Sequence, residues 1–223
     1  ASVEEALAVL AERGDDAKVI AGGQSLLPVL RMRLNAPEVV VDLGRIEGLR
    51  GVRDDGDAIV IGAMTTHAEV GRDPLVAEHA ALIAKAITHL ADAQVRNRGT
   101  FGGALAHADP AGDLGAPVLA LDASFTVAGQ GGSRTVAAAD FFEDVFTTAI
   151  DDGEILTEIR VPKHTGWGAH YEKFVRVSHQ WSIVAVAATV RAEGGTIAEA
   201  AIGLTNMGST PLRASAAEAA LVG

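Results

Sequence analysis

The sequence predicts an α+β chain, with mixed helices and strands up to about residues 163–168 and a smaller antiparallel sheet with a helix after that. Three observations lead there. Short apolar runs bounded by Gly and Pro alternate with segments of helical spacing as far as Pro162. From Gly168 onward three extended segments follow one another, about 169–177, 181–193 and 196–206. Pro211 then opens an alanine-rich helix at the end of the chain. With 223 residues, 48% hydrophobic and 21% charged, the chain can build one large domain or two small ones around a real core.

The elements follow in order. Ser2 and Glu5 make a capping box, and Val3, Ala6, Leu7 and Leu10 give the first helix its apolar face. Ala17 to Ile20 reads as a buried strand. Ala21-Gly22-Gly23-Gln24-Ser25 comes next, and then Leu26 to Leu34, where Leu26, Leu27, Leu30 and Leu34 fall close to one helical face. Ser25 is a good N-cap, and Pro28 sits in the first turn, where its missing N–H costs little. Val39 to Leu43 is the next strand, so the unit is strand, glycine turn, helix, strand.

Residues 45–57, rich in Gly and Asp, read as a loop that separates two subdomains. Ala58 to Met64 reads as a strand, and Thr65 or Thr66 caps a short helix toward Val70. Asp73-Pro74 starts a helix in which Leu75, Val76, Leu82, Ile83, Ile87 and Leu90 recur up to about Asp92. His79 and His89 read as surface groups on it. Gln94 to Leu114 has no clear period. It holds a second glycine pair, two arginines and two aspartates, and an irregular segment of that length is usually functional.

Gly112 to Ala120 then turns helical, Ser124 to Ala128 is extended, and Gly129 to Ser133 turns the chain back into Arg134 to Ala137. Phe141, Phe142 and Phe146 gather half of the six phenylalanines, as local core or as a ligand wall. Glu154 to Val161 alternates as a strand. Gly194-Gly195 marks a hairpin between the last two extended segments.

Two glycines after a strand let a backbone approach a ligand closely, and free N–H groups in such a turn favour an anion such as a pyrophosphate. The same pair is also ordinary turn chemistry. Neither G-x-G-x-x-G nor a Walker Gly-Lys-Ser/Thr occurs, which disfavours a Rossmann or P-loop site. The formal charge of −11 argues against nucleic acid and against a polybasic membrane anchor. A pyrophosphate would therefore be held mainly by backbone amides.

The chain has no cysteine, which excludes a disulfide framework and a thiolate-bound iron–sulfur cluster within it. His67, His79, His89, His107, His164, His170 and His179 make no metal spacing. No secretory leader and no apolar run of about 18 residues is present, so a membrane span is not expected. The chain begins without Met and on a helix, as a trimmed product would.

Ala21-Gly22-Gly23-Gln24-Ser25 and Thr100-Phe101-Gly102-Gly103 resemble the two glycine motifs of the flavin subunit of molybdenum hydroxylases. That family includes the medium subunit of aerobic carbon-monoxide dehydrogenase and the flavin part of xanthine dehydrogenases. The resemblance runs on in matching order through Gln94 to Asp113, Phe146-Thr147-Thr148, Ile155 to Ile159 and Tyr171-Glu172-Lys173-Phe174. It covers nearly the whole chain, although the family continues into a helical C-terminal part, most of which is absent after Gly223.

The resemblance implies a vanillyl-alcohol-oxidase-like (PCMH-type) FAD-binding fold of two α/β subdomains over residues 1–165. A smaller sheet and helix domain would follow over 166–223. FAD would lie extended and non-covalently bound between the subdomains. Ala21, Gly22, Gly23, Gln24 and Ser25 would hold its pyrophosphate, and Thr100, Phe101, Gly102 and Gly103 would approach the flavin side. Asp113, Leu156 and Lys173 match further cofactor-contacting positions, and Trp181 falls where an aromatic residue often lies near the isoalloxazine ring. Two departures stand out: His179-Gln180 replaces a usual Gly-Asp before the aromatic, and Phe101 replaces a usual aliphatic residue and would tighten the ring side of the pocket.

The implied role is electron transfer in a dimer of heterotrimers. A molybdenum-cofactor large subunit would oxidise the substrate and a 2Fe-2S small subunit would relay electrons. FAD on this chain would pass them to an external acceptor, in the cytoplasm or at the inner face of the membrane through the complex. No acid, base or nucleophile of this chain is then needed for substrate chemistry. The carbon-monoxide dehydrogenase type is preferred. The alternatives are the flavin subunit of a xanthine, aldehyde or N-heterocycle dehydrogenase, a self-sufficient FAD oxidoreductase drafting His107 or His179 as base, and a docking module without nucleotide.

Overall fold

The computed structural model describes residues 2–223. Helix α1 (Val3–Arg13) is capped by Ser2 with Glu5 answering, as the sequence predicts. Strands β1 (Ala17–Ile20) and β2 (Val39–Asp42) pair in parallel around helix α2 (Leu26–Arg31). Helix α2 is shorter than its apolar spacing suggests. None of its residues is buried, and Ser25 makes no side-chain cap.

The segment 45–57 is not all loop. Two 3-10 turns, Leu43–Arg45 and Glu47–Leu49, lead into β3 (Val52–Asp55), which forms a hairpin with β4 (Ala58–Gly62). Helix α3 (His67–Val70) is capped by Thr66 with Glu69. The single helix expected over 74–92 is two, α4 (Pro74–His79) and α5 (Ala81–His89). They break at Ala80, whose backbone leaves the helical region at φ −140° and ψ 45°. His79 is buried rather than a surface group, and its Nδ1 lies 2.7 Å from Thr165 Oγ1. His89 is exposed.

Gln94 to Leu114 is not wholly irregular: it holds most of α6 (Ala93–Arg96) and all of α7 (Phe101–His107) between turns, and α8 (Gly115–Ala120) follows. The period failed there because each piece is too short to show one. Both helices start on side-chain caps, Asp92 for α6 and Thr100 for α7.

Strands β5 (Ser124–Gly129) and β6 (Gly132–Ala137) form the expected hairpin. Helix α9 (Ala138–Phe141), the short strands β7 (Phe142–Asp144) and β8 (Thr147–Thr148), and β9 (Ile155–Pro162) follow. The five-stranded sheet runs β3-β4-β9-β5-β6, with every neighbouring pair antiparallel. The phenylalanine cluster is core chemistry. Phe141 stacks on Phe125 at 3.9 Å and meets Phe142 edge-on at 5.1 Å, while Phe146 stands apart and exposed.

Strands β10 (Gly168–Phe174), β11 (Val184–Glu193), β12 (Thr196–Thr205) and β13 (Leu212–Arg213) make the second antiparallel sheet, in that order. The hairpin turn at Gly194-Gly195 has positive φ at both residues. Pro211 precedes β13 rather than starting a helix, and the last helix is α10 (Ser215–Leu221). Glu218 ties it down by accepting from Ile202 N–H at 2.7 Å.

Two apolar clusters hold the chain together. The larger joins one face of the five-stranded sheet to α5, α7 and α8, and takes in Tyr171, Ala185, Ala187 and Ala201 from the second sheet. The two parts thus share one core. They approach so closely that a Cβ on Gly203 would lie 2.3 Å from Ala116 O. The smaller cluster packs Leu7 and Leu10 of α1 against Met64, Ala128 and Ile155. It fixes the first strand–turn–helix–strand unit to one end of the large sheet, which sets where the first glycine turn points.

Candidate flavin site

The turn after β1 has an unusual inventory of donors. The four consecutive amides of Gly22, Gly23, Gln24 and Ser25 donate to no acceptor among the described residues. The turn accepts instead. Gly23 O takes Leu27 N–H at 3.1 Å, and Gly22 O takes the Gln24 side-chain amide at 3.0 Å. Gly23 sits at φ +74°, a conformation that costs a glycine little. Backbone N–H groups left without partners need an acceptor from outside the chain. The helix behind the turn is only six residues long, so an anion here would meet the turn amides rather than a helix dipole.

The second glycine segment lies directly against the first. A Cβ on Gly22 would fall 2.3 Å from Arg98 O and 2.6 Å from Gly99 Cα, so only glycine fits there. A Cβ on Gly103 would lie 3.2 Å from Ala21 Cβ. The two bends are therefore in van der Waals contact, as a single extended dinucleotide touching both would require.

The amides of the second segment are already used. Phe101 N–H donates to Thr65 O and Gly102 N–H to Ala63 O, both at 2.9 Å, and Gly103 N–H donates to Thr100 Oγ1 at 3.2 Å. This segment offers close-packed backbone, not free donors. Gly102 is glycine because a Cβ would lie 2.4 Å from Ala63 Cβ. Phe101 is 0% exposed and belongs to the main core. A side chain with no accessible surface shapes a site only through its neighbours. Leu156 is likewise a core residue.

Asp113 and Lys173 come together in the interior. Lys173 Nζ donates to Asp113 Oδ2 at 2.8 Å, with 5% and 4% of the two side chains exposed. Asp113 Oδ1 also accepts from Tyr171 OH at 2.8 Å and Ser182 Oγ at 3.2 Å, and Lys173 Nζ reaches His89 O at 3.3 Å. The buried charges are thus paired and hydrogen-bonded on both sides. Burial first, and then the Asp113 carboxylate, push the Tyr171 phenol well above its ordinary pKa, so it stays a donor. Sequence reasoning gave no site role to Tyr171 or Ser182; nothing in a strand residue and a loop serine announces that they meet one carboxylate.

Ser182 anchors the loop that carries Trp181. Asn206 Nδ2 holds the same loop by Ser182 O at 2.9 Å and Ile183 O at 3.2 Å. Trp181 itself is 58% exposed, so its indole face is free to pack on a flat ligand rather than being core. The departure at His179-Gln180 has a conformational counterpart, since His179 adopts φ +66°. Its Nδ1 lies 3.9 Å from Asp92, the cap of α6, which leads straight into the Arg98–Gly99 bend. His107 is partly buried beside Phe146 at 5.0 Å, and burial lowers its pKa against the opposing pull of Asp109.

Two families match the chain end to end. Residues 1–164 match the FAD binding domain in molybdopterin dehydrogenase, and residues 169–223 match the CO dehydrogenase flavoprotein C-terminal domain. The chain belongs to the FAD-binding medium subunits of the molybdenum hydroxylase family. It is 42% identical to the carbon monoxide dehydrogenase medium chain of Hydrogenophaga pseudoflava, over 100% of this chain and 78% of that one. It is also 39% identical to the 6-hydroxypseudooxynicotine dehydrogenase complex subunit alpha of Paenarthrobacter nicotinovorans, over 99% and 75%.

Among solved structures, it superposes on carbon monoxide dehydrogenase from H. pseudoflava lacking the Mo-pyranopterin moiety, with a TM-score of 0.97 and 45% identity over 100% of this chain and 78% of that one. Quinoline 2-oxidoreductase from Pseudomonas putida 86 follows at 0.95 and 35%, over 100% and 78%. The fold is accordingly the PCMH-type FAD-binding fold with a small antiparallel sheet domain. As a member of this family the chain is an electron-transfer FAD subunit of an oxidoreductase. No helix among the described residues is long and apolar enough to cross a membrane.

Proposed function

We propose that this chain binds FAD non-covalently and serves a molybdenum hydroxylase of the carbon-monoxide dehydrogenase type. It would take electrons from a 2Fe-2S subunit and release them to an external acceptor. The observation that carries the reading is the row of four unpartnered amides, Gly22 to Ser25, held against the Arg98–Gly99 bend. The residues fit the cofactor. Those amides suit a pyrophosphate in a chain whose net charge is −11, because neutral donors bind the anion without clustered cations.

Bound FAD supplies the redox chemistry, accepting two electrons and giving them up again. The protein's task is to hold and surround it. Gly22 lets the two bends close, Asp113 and Lys173 tie the loop before α8 to β10, and Ser182 sets the position of the exposed Trp181 indole. The absence of cysteine supports a division of labour in which the clusters sit on another subunit. The molybdenum cofactor would be carried by the large subunit, and a dimer of heterotrimers is the assembly we favour. The carbon-monoxide dehydrogenase type rests on the similarity to two carbon monoxide dehydrogenase medium chains.

The test is reconstitution followed by copurification. The protein incubated with FAD and desalted should be yellow with one flavin per chain, and the complex that contains it should hold molybdenum and iron. A colourless protein sinks the reading. Turnover of a small substrate by the chain alone would replace it with a self-sufficient oxidoreductase.

A further inference from the structure

His67 has no part in the reading above, yet it lies directly behind the two bends. It is the first residue of α3 and 3% exposed. Its main-chain N–H donates to Gly99 O at 3.0 Å. Its ring packs on Gly99 so tightly that a Cβ there would lie 2.9 Å from Cδ2 and 3.1 Å from Nε2. Gly99 in turn lies against Gly22, giving three layers: imidazole, second bend, first bend. The ring's Nδ1 is buried and makes no hydrogen bond. A buried polar atom without a partner is a cost that a phenyl or aliphatic side chain would avoid. Packing alone therefore gives no reason for histidine here.

We propose that His67 is a positioning residue for the dinucleotide: its uncharged ring sets the height of Gly99, and so the gap between the two bends, and charging the ring opens that gap. The inference rests on the flavin reading above. The surroundings are hostile to a cation. Burial does most to disfavour the charged ring, and the field of Arg96 on α6 adds to it, bringing the imidazole down to a pKa of about 4. Arg98 adjoins Gly99 on the bend itself. The nearest carboxylate on its own helix, Glu69, is engaged by the N–H and hydroxyl of Thr66 at 2.8 Å each. Helix α5 meets α3 through an apolar contact, Ile87 against Gly71. A protonated ring finds no counter-charge and must move, and its contacts with Gly99 move the bend with it.

The experiment is FAD release from the reconstituted full chain between pH 7.5 and pH 4.5, followed by recovery of free-flavin fluorescence, for wild type, H67F and H67Q. If FAD release lets the bends part and the ring regain its ordinary pKa, the wild-type dissociation constant rises by up to about 70-fold at pH 4.5 relative to pH 7.5. Neither variant can titrate at this position, so their profiles should be nearly flat over the same range once other groups' shared drift is subtracted. H67Q serves if H67F fails to fold, and failure of both to fold at neutral pH overturns the proposal, because the site would then be needed for folding itself. Variants whose profiles run parallel to wild type overturn it while leaving the flavin reading intact. A wild-type chain that takes up no FAD at pH 7.5 overturns both.

Discussion

Gly22→Ala is the substitution on which the geometry speaks most plainly. The new methyl would lie 2.3 Å from Arg98 O, where such contacts normally sit at about 3.3 Å, so the bends must part by about 1 Å. The obstacle is backbone and is itself held in place. Gly99 N–H and Arg98 N–H both donate to Val95 O, at 2.7 and 3.1 Å, and Gly99 O accepts from His67. Overpacking against a fixed backbone costs about 2–3 kcal/mol, or roughly 4–12 °C in Tm for a chain of this size.

Flavin affinity should fall further than stability. Moving the turn by that distance breaks one or two amide–phosphate hydrogen bonds at about 1.5–3 kcal/mol each, roughly tenfold or more in Kd for each bond lost. Gly23→Ala provides a graded comparison. Its φ of +74° costs a side chain about 1–2 kcal/mol, but its nearest obstacle is the flexible end of Leu27. Gly131→Ala, with nothing within 4 Å of the new methyl, should stay within about 0.5 kcal/mol. Urea denaturation and FAD titration of the three variants give both quantities. A Gly22→Ala protein that melts and binds FAD like wild type would refute the reasoning.

Three further outcomes are expected. Lys173→Met strands the buried Asp113 carboxylate and should cost about 3–5 kcal/mol in urea, while the double variant with Asp113→Asn should cost less than the sum of the two singles. His67, lowered from an ordinary 6.5 to about 4, binds its proton more readily in the unfolded chain. The stability this gives is present above pH 6.5 and falls away by about 3 kcal/mol as pH drops to 4, so urea midpoints at pH 7 and 4.5 should lie closer together for H67F than for wild type. Trp181→Ala should leave stability within about 0.5 kcal/mol, since the indole is exposed, while the fluorescence of bound flavin rises as a stacking quencher is lost.

Much of the architecture was readable because local signals were strong. The capping box at Ser2 and the Asp73-Pro74 start fixed two helix N-termini, the threonine pair 65–66 placed a third to within a residue, and paired glycines fixed the hairpin at 194–195. Period reading failed where elements are short or interrupted. One apolar stripe ran across Ala80 although the backbone breaks there, and α6 and α7 are too brief to repeat a face.

The candidate site divides along the same line. The first glycine turn was legible as an amide site because its chemistry is local. The second was legible as special, but its glycines serve backbone contact with Ala63 and Ala21, which only the fold discloses. Asp113, Lys173, Tyr171 and Ser182 are 58 to 69 residues apart in pairs with Asp113, so no local pattern could have joined them. His67 was hidden for the same reason: its partner Gly99 lies 32 residues further on, in the bend between α6 and α7.

Hydrogen exchange at single-amide resolution, with and without FAD, tests the central claim most directly. Without ligand the amides of Gly22, Gly23, Gln24 and Ser25 should exchange freely, because they have no acceptor, while those of Phe101 and Gly102 are already slow. Stoichiometric FAD should slow the first four sharply and change the other two little. Full flavin occupancy with Gly22 to Ser25 still exchanging as in the free protein would contradict the account.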